Sequence, residues 1–85
     1  METLEIHSAH DLTSGPAARK SGNHLYQVNC RQFLAVQRDW QRNEARHDAN
    51  LCVMTLGLER IWISAAEAKQ VEAAILDKRS PLALD

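Results

Sequence analysis

Four arginines lie close together in the middle of this chain: Arg31, Arg38, Arg42 and Arg46. If the segment is helical, the last three recur at four-residue spacing and form one stripe that could contact phosphates. If the segment is a hairpin, Arg42 lies at its tip and the others flank it. Acidic residues are interleaved with the arginines, as on a solvated, salt-bridged surface. Trp40 lies among them, and tryptophan and arginine are both enriched at the energetic centres of protein interfaces.

Histidine, aspartate and cysteine could bind a metal. Two His-Asp dipeptides occur, at residues 10–11 and 47–48, but adjacent residues of a strand point to opposite faces and could not converge on one ion. His7 and His10 have a three-residue spacing that suits a metal only on a helix. A mixed zinc site lacks the short paired spacings of known zinc motifs, and its candidate ligands are His24, Cys30, His47 and Cys52. We therefore predict no metal and no cofactor.

The sequence gives little support for nucleophilic catalysis. Ser64 is accounted for by helix capping, and no glycine-rich elbow surrounds any serine. A dyad of Cys30 or Cys52 with His47 is conceivable, but burial would keep the thiol protonated. The three glycines are scattered singly, so no phosphate-binding loop is present. We expect a non-enzymatic protein, with a small metal-dependent enzyme as a remote alternative.

Composition sets the broad class. Eighty-five residues allow one domain with a single thin core. The formal net charge of −1 gives no overall attraction to nucleic acid or to an anionic membrane. No apolar run approaches the roughly 20 residues that span a bilayer, and METLEIHSAH does not resemble a signal peptide. Cys30 and Cys52 do not make a disulfide framework. We expect a cytoplasmic protein without a membrane partner.

A β-hairpin is predicted in the C-terminal third. Residues 51–56 form an apolar run relieved only by Thr55, and the run ends at Gly57, which favours a tight connection. The chain resumes with residues 60–63, Arg-Ile-Trp-Ile, whose β-branched and aromatic side chains favour a strand.

A helix is predicted directly after this hairpin. Ser64 and Glu67 have the spacing of a capping box, in which each side chain bonds the other's backbone N–H. The residues that follow are rich in Ala, Glu and Lys, which are strong helix formers. Pro81 is expected to close the helix.

The middle segment allows two interpretations. Apolar side chains recur at even positions, which favours a strand over residues 25–40: Tyr26, Val28, Cys30, Leu34, Val36 and Trp40. Residues 41–44 would then be a hairpin connection, and residues 45–53 would continue as the partner strand. The alternative is a helix, because residues 37–50 lack β-branched side chains. We choose the strand because its alternation is longer and cleaner.

The chain ends are predicted to lie outside the folded domain. Residues 13–16 and 21–23 have loop composition, and the alternation of Leu4 and Ile6 allows only a short strand. We expect a flexible N-terminal arm over residues 1–23, one domain over residues 24–80 and a tail over residues 81–85.

These elements predict an α+β fold in which a three-stranded antiparallel meander carries a C-terminal helix on one face. The sheet would be apolar on both faces, because Phe33, Trp62 and their sequence neighbours point to opposite sides. One helix covers only one face, so the other face requires the N-terminal arm or a second chain. We therefore predict a homodimer.

The functional expectation is a small accessory, regulatory or inhibitory module that binds another protein. Its expected partner-binding residues are Phe33, Arg38, Trp40, Arg42 and Trp62. The alternative is a nucleic-acid-binding protein using Arg31, Arg38, Arg42 and Arg46.

Overall fold

The computed structural model describes residues 1–15, 19–43 and 50–84. Within these ranges the chain forms an α+β fold, as predicted, with two α-helices and five strands. The elements in chain order are β1 (Thr3–His10), β2 (Lys20–Asn29), α1 (Cys30–Arg42), β3 (Leu51–Met54), β4 (Arg60–Ile63), α2 (Ala65–Leu76) and β5 (Leu82–Leu84).

The strands make two separate sheets, so the predicted three-stranded meander is wrong. One sheet has the order β2-β1-β5, with β1 antiparallel to β2 and parallel to β5. The other sheet is the antiparallel β3–β4 hairpin. The two sheets meet where the Leu56 N–H donates to the Gln27 carbonyl at 2.9 Å.

The predicted flexible arm over residues 1–23 is wrong in its described part, because β1 and the start of β2 lie there. In the β1–β2 register Leu4 faces Val28 and Ile6 faces Tyr26, and all four side chains are buried. The alternation of Leu4 and Ile6 was therefore the signal of a core strand. Its burial on folding outweighs the loop-forming composition on either side.

A short 3-10 turn, Leu12–Ser14, follows β1. The Thr13 N–H donates to the Asp11 carboxylate at 3.0 Å, which caps the turn. The Leu12 N–H donates to the Tyr26 hydroxyl at 2.9 Å and ties the turn to β2. Asp11 of the first His-Asp dipeptide therefore has a structural role.

The choice of a strand over residues 25–40 is wrong beyond Asn29, and the helical alternative is correct. The Asn29 side chain accepts from the Gln32 N–H at 2.9 Å and starts α1. The helix buries Cys30, Phe33 and Trp40 together with Gln37, a polar residue that an apolar pattern overlooks. The Gln37 amide donates to the Ala68 carbonyl at 3.3 Å, so α1 is bonded to α2. The predicted connection and partner strand over residues 44–49 lie outside the described residues.

The C-terminal hairpin is confirmed. Cys52 pairs with Trp62, and Met54 pairs with Arg60. The connection closes with the Thr55 N–H donating to the Glu59 carbonyl at 2.8 Å. The left-handed conformation falls on Leu58, with φ of 65°, rather than on Gly57.

The predicted capped helix is also confirmed as α2. The Ser64 N–H donates to the Glu67 carboxylate at 2.8 Å, and the Glu67 N–H donates to the Ser64 hydroxyl at 3.1 Å. The helix ends at Leu76, before Pro81, because Lys78 adopts a left-handed conformation with φ of 54°. The Arg79 N–H then donates to the Ala74 carbonyl at 2.8 Å, as in a Schellman C-cap.

The predicted C-terminal tail is wrong for residues 82–84, which form β5. Leu84 is fully buried, and Leu82 packs against the core. The hydrophobic core therefore includes side chains from β1 at one end of the described chain and β5 at the other.

Candidate functional site

Three of the predicted arginines share one exposed stripe. Arg31, Arg38 and Arg42 lie on α1 at spacings of seven and four residues, which place them on the same side of a helix. None of the three makes an ion pair with another described residue. Arg46 lies outside the described residues. The stripe is therefore a line of available positive charge about 16 Å long at 1.5 Å per residue.

Two predicted contact residues belong to the core instead. Phe33 is 1% exposed and Trp40 is 8% exposed. Both lie on the inner side of α1, because the helical period turns them away from the arginine stripe. The placement of Phe33 on an open sheet surface and of Trp40 at a hairpin tip is wrong, and neither ring is presented to a partner.

Trp62 lies on the outer side of the β3–β4 hairpin. This surface, which we name the hairpin face, consists of Cys52, Met54, Arg60 and Trp62. Cys52 and Arg60 are exposed, while Met54 and Trp62 are half-buried. The alternate side chains of both strands are buried in the core. The hairpin face is thus the less buried side of a two-sided sheet.

One end of the hairpin face borders a shallow cavity of about 280 Å³. Trp62 lines it together with Ser64 and Glu67 from the start of α2, and His10 and Gly15 from the β1 side. This cavity leaves the Trp62 ring partly accessible. Arg60 is the first residue of β4, and Glu67 lies near the other end of this strand.

A larger depression lies beside the arginine stripe. We name it the helix groove; it has a volume of about 670 Å³ and is lined by Met1, Glu2, Asn29, Cys30, Arg31, Leu34, Ala35, Arg38 and Ile75. Leu34, Ala35 and Ile75 make an apolar floor between α1 and α2. Arg31 and Arg38 stand on the α1 side, while Arg42 does not line it.

The helix groove continues toward the C-terminal end of α2. An adjoining cavity of about 180 Å³ shares Glu2, Cys30 and Ile75 with it and is also lined by Lys78 and Arg79. Arg79 lies 3.4 Å from the Asp77 carboxylate, and both side chains are well exposed, so this pair is weak. Glu2 is the single acidic side chain that lines either cavity. The combined lining is therefore net positive.

Cys30 is the only thiol that borders the helix groove among the described residues. Burial raises the pKa of Cys30, and the nearby Glu2 carboxylate adds to the rise. The thiol is therefore protonated at neutral pH and is a poor nucleophile. Cys52 is also a free thiol, but it is exposed on the hairpin face.

Asp11 has the most strongly shifted carboxyl group in the described part of the chain. Hydrogen bonds from the Thr13 and Ser14 side chains and from the Thr13 N–H lower its pKa to about 2. The carboxylate is committed to capping the 3-10 turn and to accepting from Tyr26 at 3.4 Å. Desolvation in turn raises the pKa of Tyr26. These shifts therefore have structural causes.

Neither a metal centre nor a membrane span is found in the described residues. No group of three or more His, Cys, Asp or Glu side chains there could hold an ion. No helix in these ranges is long and apolar enough to cross a bilayer.

No protein-family model matches the sequence, and no curated protein or solved structure shows significant similarity to it. The two exposed surfaces, the hairpin face and the helix groove, are therefore the basis for assigning a function.

Proposed function

We propose that this chain is a small non-enzymatic protein-binding module that acts as a homodimer. The observation that carries the proposal is the hairpin face, where Trp62 and Met54 remain accessible although the other side of the same strands is fully buried. A second copy would remove the apolar side chains of this face from water, at roughly 25 cal/mol per Å² of apolar surface.

The hairpin face has the charge arrangement that a symmetric dimer needs. In a twofold dimer the same patch meets itself, so one end must complement the other. Arg60 lies at one end of β4, and Glu67 borders the other end beyond Trp62. A twofold axis near the Cys52–Trp62 pair would bring Arg60 of each copy toward Glu67 of its partner, with Trp62 between them and Met54 across from Arg60.

Sedimentation equilibrium of the native chain and two charge variants tests the dimer. Met54→Glu places a carboxylate on the hairpin face, across from Arg60 and diagonal to Trp62, and should weaken association by at least about tenfold because it replaces an apolar side chain with a charged one. Leu25→Glu is the matched control, because Leu25 is 55% exposed on β2, away from this face. A native chain that stays monomeric at high micromolar concentration would contradict the proposal. Equal weakening by both variants would also contradict it.

Chemical crosslinking locates the interface independently. A short bismaleimide should join two chains through Cys52, which is exposed near the proposed axis. Cys52→Ser should abolish the crosslink, whereas Cys30→Ser should retain it because Cys30 is buried. A dimer by mass that fails to crosslink through Cys52 would place the interface elsewhere.

The groups with shifted pKa values in the described part of the chain have structural surroundings, which supports a binding role. Cys30 is held as the neutral thiol, and Asp11 is committed to a turn. Two free cysteines also suit a reducing compartment, and we propose a cytoplasmic location on that ground.

A second candidate function is nucleic-acid binding. It rests on Arg31, Arg38 and Arg42, which form one exposed stripe without ion pairs among the described residues. Binding of a single strand through three phosphate contacts would give a slope of roughly −0.7 per contact in a plot of log affinity against log salt. Titrating a single-stranded oligonucleotide at several salt concentrations tests this function, and no measurable binding at low salt would rule it out.

A further inference from the structure

We propose that the helix groove binds an acidic amphipathic helix of another protein. This inference rests on the proposed protein-binding function and names the class of partner. It uses a surface separate from the hairpin face, so it does not require the dimer.

The shape of the helix groove suits a helical ligand. Its α1 wall runs from Arg31 to Arg38, about 10 Å or two helical turns at 1.5 Å per residue. The adjoining cavity extends it to the C-terminal end of α2 at Lys78. A helix laid along two packed helices presents apolar side chains at i, i+3, i+4 and i+7, which match a groove of this length.

The floor is apolar, and one of its side chains is small. Leu34 and Ile75 provide aliphatic contact from α1 and α2. Ala35 is exposed between the arginines and lets a partner backbone approach α1 closely. None of the other described elements of this chain fills the groove, whose volume of about 670 Å³ remains open.

The charges around the floor favour a ligand with negatively charged side chains. Arg31 and Arg38 have no ion-pair partner among the described residues, and Lys78 adds a third cation at the far end. Carboxylates spaced along one side of a ligand helix would pair with these cations. Glu2 lies at the start of α1, where its backbone carbonyl accepts from the Cys30 N–H at 3.1 Å, and its carboxylate disfavours acidic residues at that end of the groove. The ligand is therefore acidic beside Arg38 and Lys78 and neutral or basic next to Glu2.

Nucleic acid fits this surface less well than a helix does. A phosphate backbone would follow the whole arginine stripe, including Arg42, and would gain little from Leu34 and Ile75. Binding of a helix would instead depend on the apolar floor and on the two arginines that line the groove, Arg31 and Arg38. Arg42 therefore separates the two possibilities.

Fluorescence anisotropy with two designed peptides provides the test. The probe is a fluorescein-labelled amphipathic peptide with leucines at i, i+3, i+4 and i+7 and glutamates at the remaining helical positions. Its control has lysine in place of each glutamate. The native chain should bind the glutamate peptide at least about tenfold more tightly than the lysine peptide at physiological salt.

Single substitutions in the protein locate the binding. Arg38→Glu and Arg31→Glu should each weaken binding of the glutamate peptide about tenfold or more. Arg42→Glu is the matched control and should change the affinity less than twofold, since Arg42 lies on the same stripe but outside the groove. Leu34→Glu should also abolish binding, and its circular dichroism spectrum must match that of the native chain.

Several results would overturn the inference. Equal affinity for both peptides, no binding of either, or equal weakening by Arg42→Glu and Arg38→Glu would each do so. An oligonucleotide that displaces the glutamate peptide and depends on Arg42 would assign the surface to nucleic acid. Repeating the titration on Met54→Glu separates this inference from the dimer, because a monomer that still binds the glutamate peptide retains the helix site.

Discussion

The hairpin face and the helix groove both combine apolar and charged side chains, but they differ in the balance of that charge. The hairpin face has an apolar centre with Arg60 at one end and Glu67 near the other, so its charges balance. The helix groove has an apolar floor beside Arg31 and Arg38, with Lys78 at its far end, so its charge is net positive. A surface whose charges balance can meet a copy of itself. A surface of one sign requires a different partner, and this difference is the basis for proposing self-association at the hairpin face and ligand binding at the helix groove.

The largest expected effect distinguishes the inner and outer sides of the hairpin. Ile61 is buried in the core, and Ile61→Ala should lower the free energy of unfolding by about 3 kcal/mol through the cavity it leaves. Met54→Ala on the hairpin face should lower it by less than about 1 kcal/mol in the monomer. Urea unfolding of both variants at a concentration below the dimer midpoint makes the comparison. Similar losses for the two would mean that the outer side is also structurally packed.

The next effect concerns the packing that forms the helix groove. Gln37 is 1% exposed and donates to the Ala68 carbonyl, which bonds α1 to α2 beneath the floor. Gln37→Ala should cost about 2 kcal/mol in unfolding free energy from the cavity and the lost hydrogen bond. It should also weaken peptide binding in the groove while leaving dimerisation unchanged. If Gln37→Ala weakened dimerisation instead, the two surfaces would be energetically coupled.

A smaller effect is expected at the junction of the hairpin and α2. Ser64→Ala removes the side-chain acceptor of the capping box and should cost about 1 kcal/mol. Thermal unfolding measures the loss, with the exposed substitution Lys69→Ala as a control on the same helix. A Ser64→Ala variant as stable as the native chain would show that the cap contributes nothing.

The smallest effect is the pH dependence of folding stability that comes from Asp11, a residue outside both surfaces. The pKa of Asp11 is lowered from 3.8 to about 2, so its hydrogen bonds stabilise the fold fully above pH 3.8 and are lost as the pH falls toward 2. The native chain should lose more stability over this window than Asp11→Ala does. Equal acid sensitivity of the two chains would show that other carboxyl groups dominate.

The sequence predicted some elements well because their signals are local. The β3–β4 hairpin and α2 follow from an apolar run, a β-branched strand and the Ser64–Glu67 capping box, all of which lie within a few residues of one another. The sequence of α1 favoured a strand for two reasons. The polar residue Gln37 is buried, so the buried side of the helix is not purely apolar, and the even-numbered apolar residues mimic the alternation of a strand. The pairing of Asn29 with Gln32, three residues later, was the local signal of its start.

Other features depend on contacts that no local pattern contains. β5 is three residues long and pairs in parallel with β1 at the far end of the sequence. The helix groove combines residues near positions 1, 30 and 75, so its apolar floor is invisible until the chain is folded. The arginines on its wall were identified in advance, but Phe33 and Trp40 were grouped with them because sequence proximity does not reveal which side of a helix a residue occupies.

The most direct test of the central claim is the solution mass of the native chain and of Met54→Glu by sedimentation equilibrium, measured over a wide concentration range. A homodimer formed through the hairpin face should give twice the chain mass for the native protein at high micromolar concentration and the mass of one chain for Met54→Glu. A native monomer throughout that range, or a dimer that Met54→Glu leaves intact, would contradict the assignment of the hairpin face to self-association.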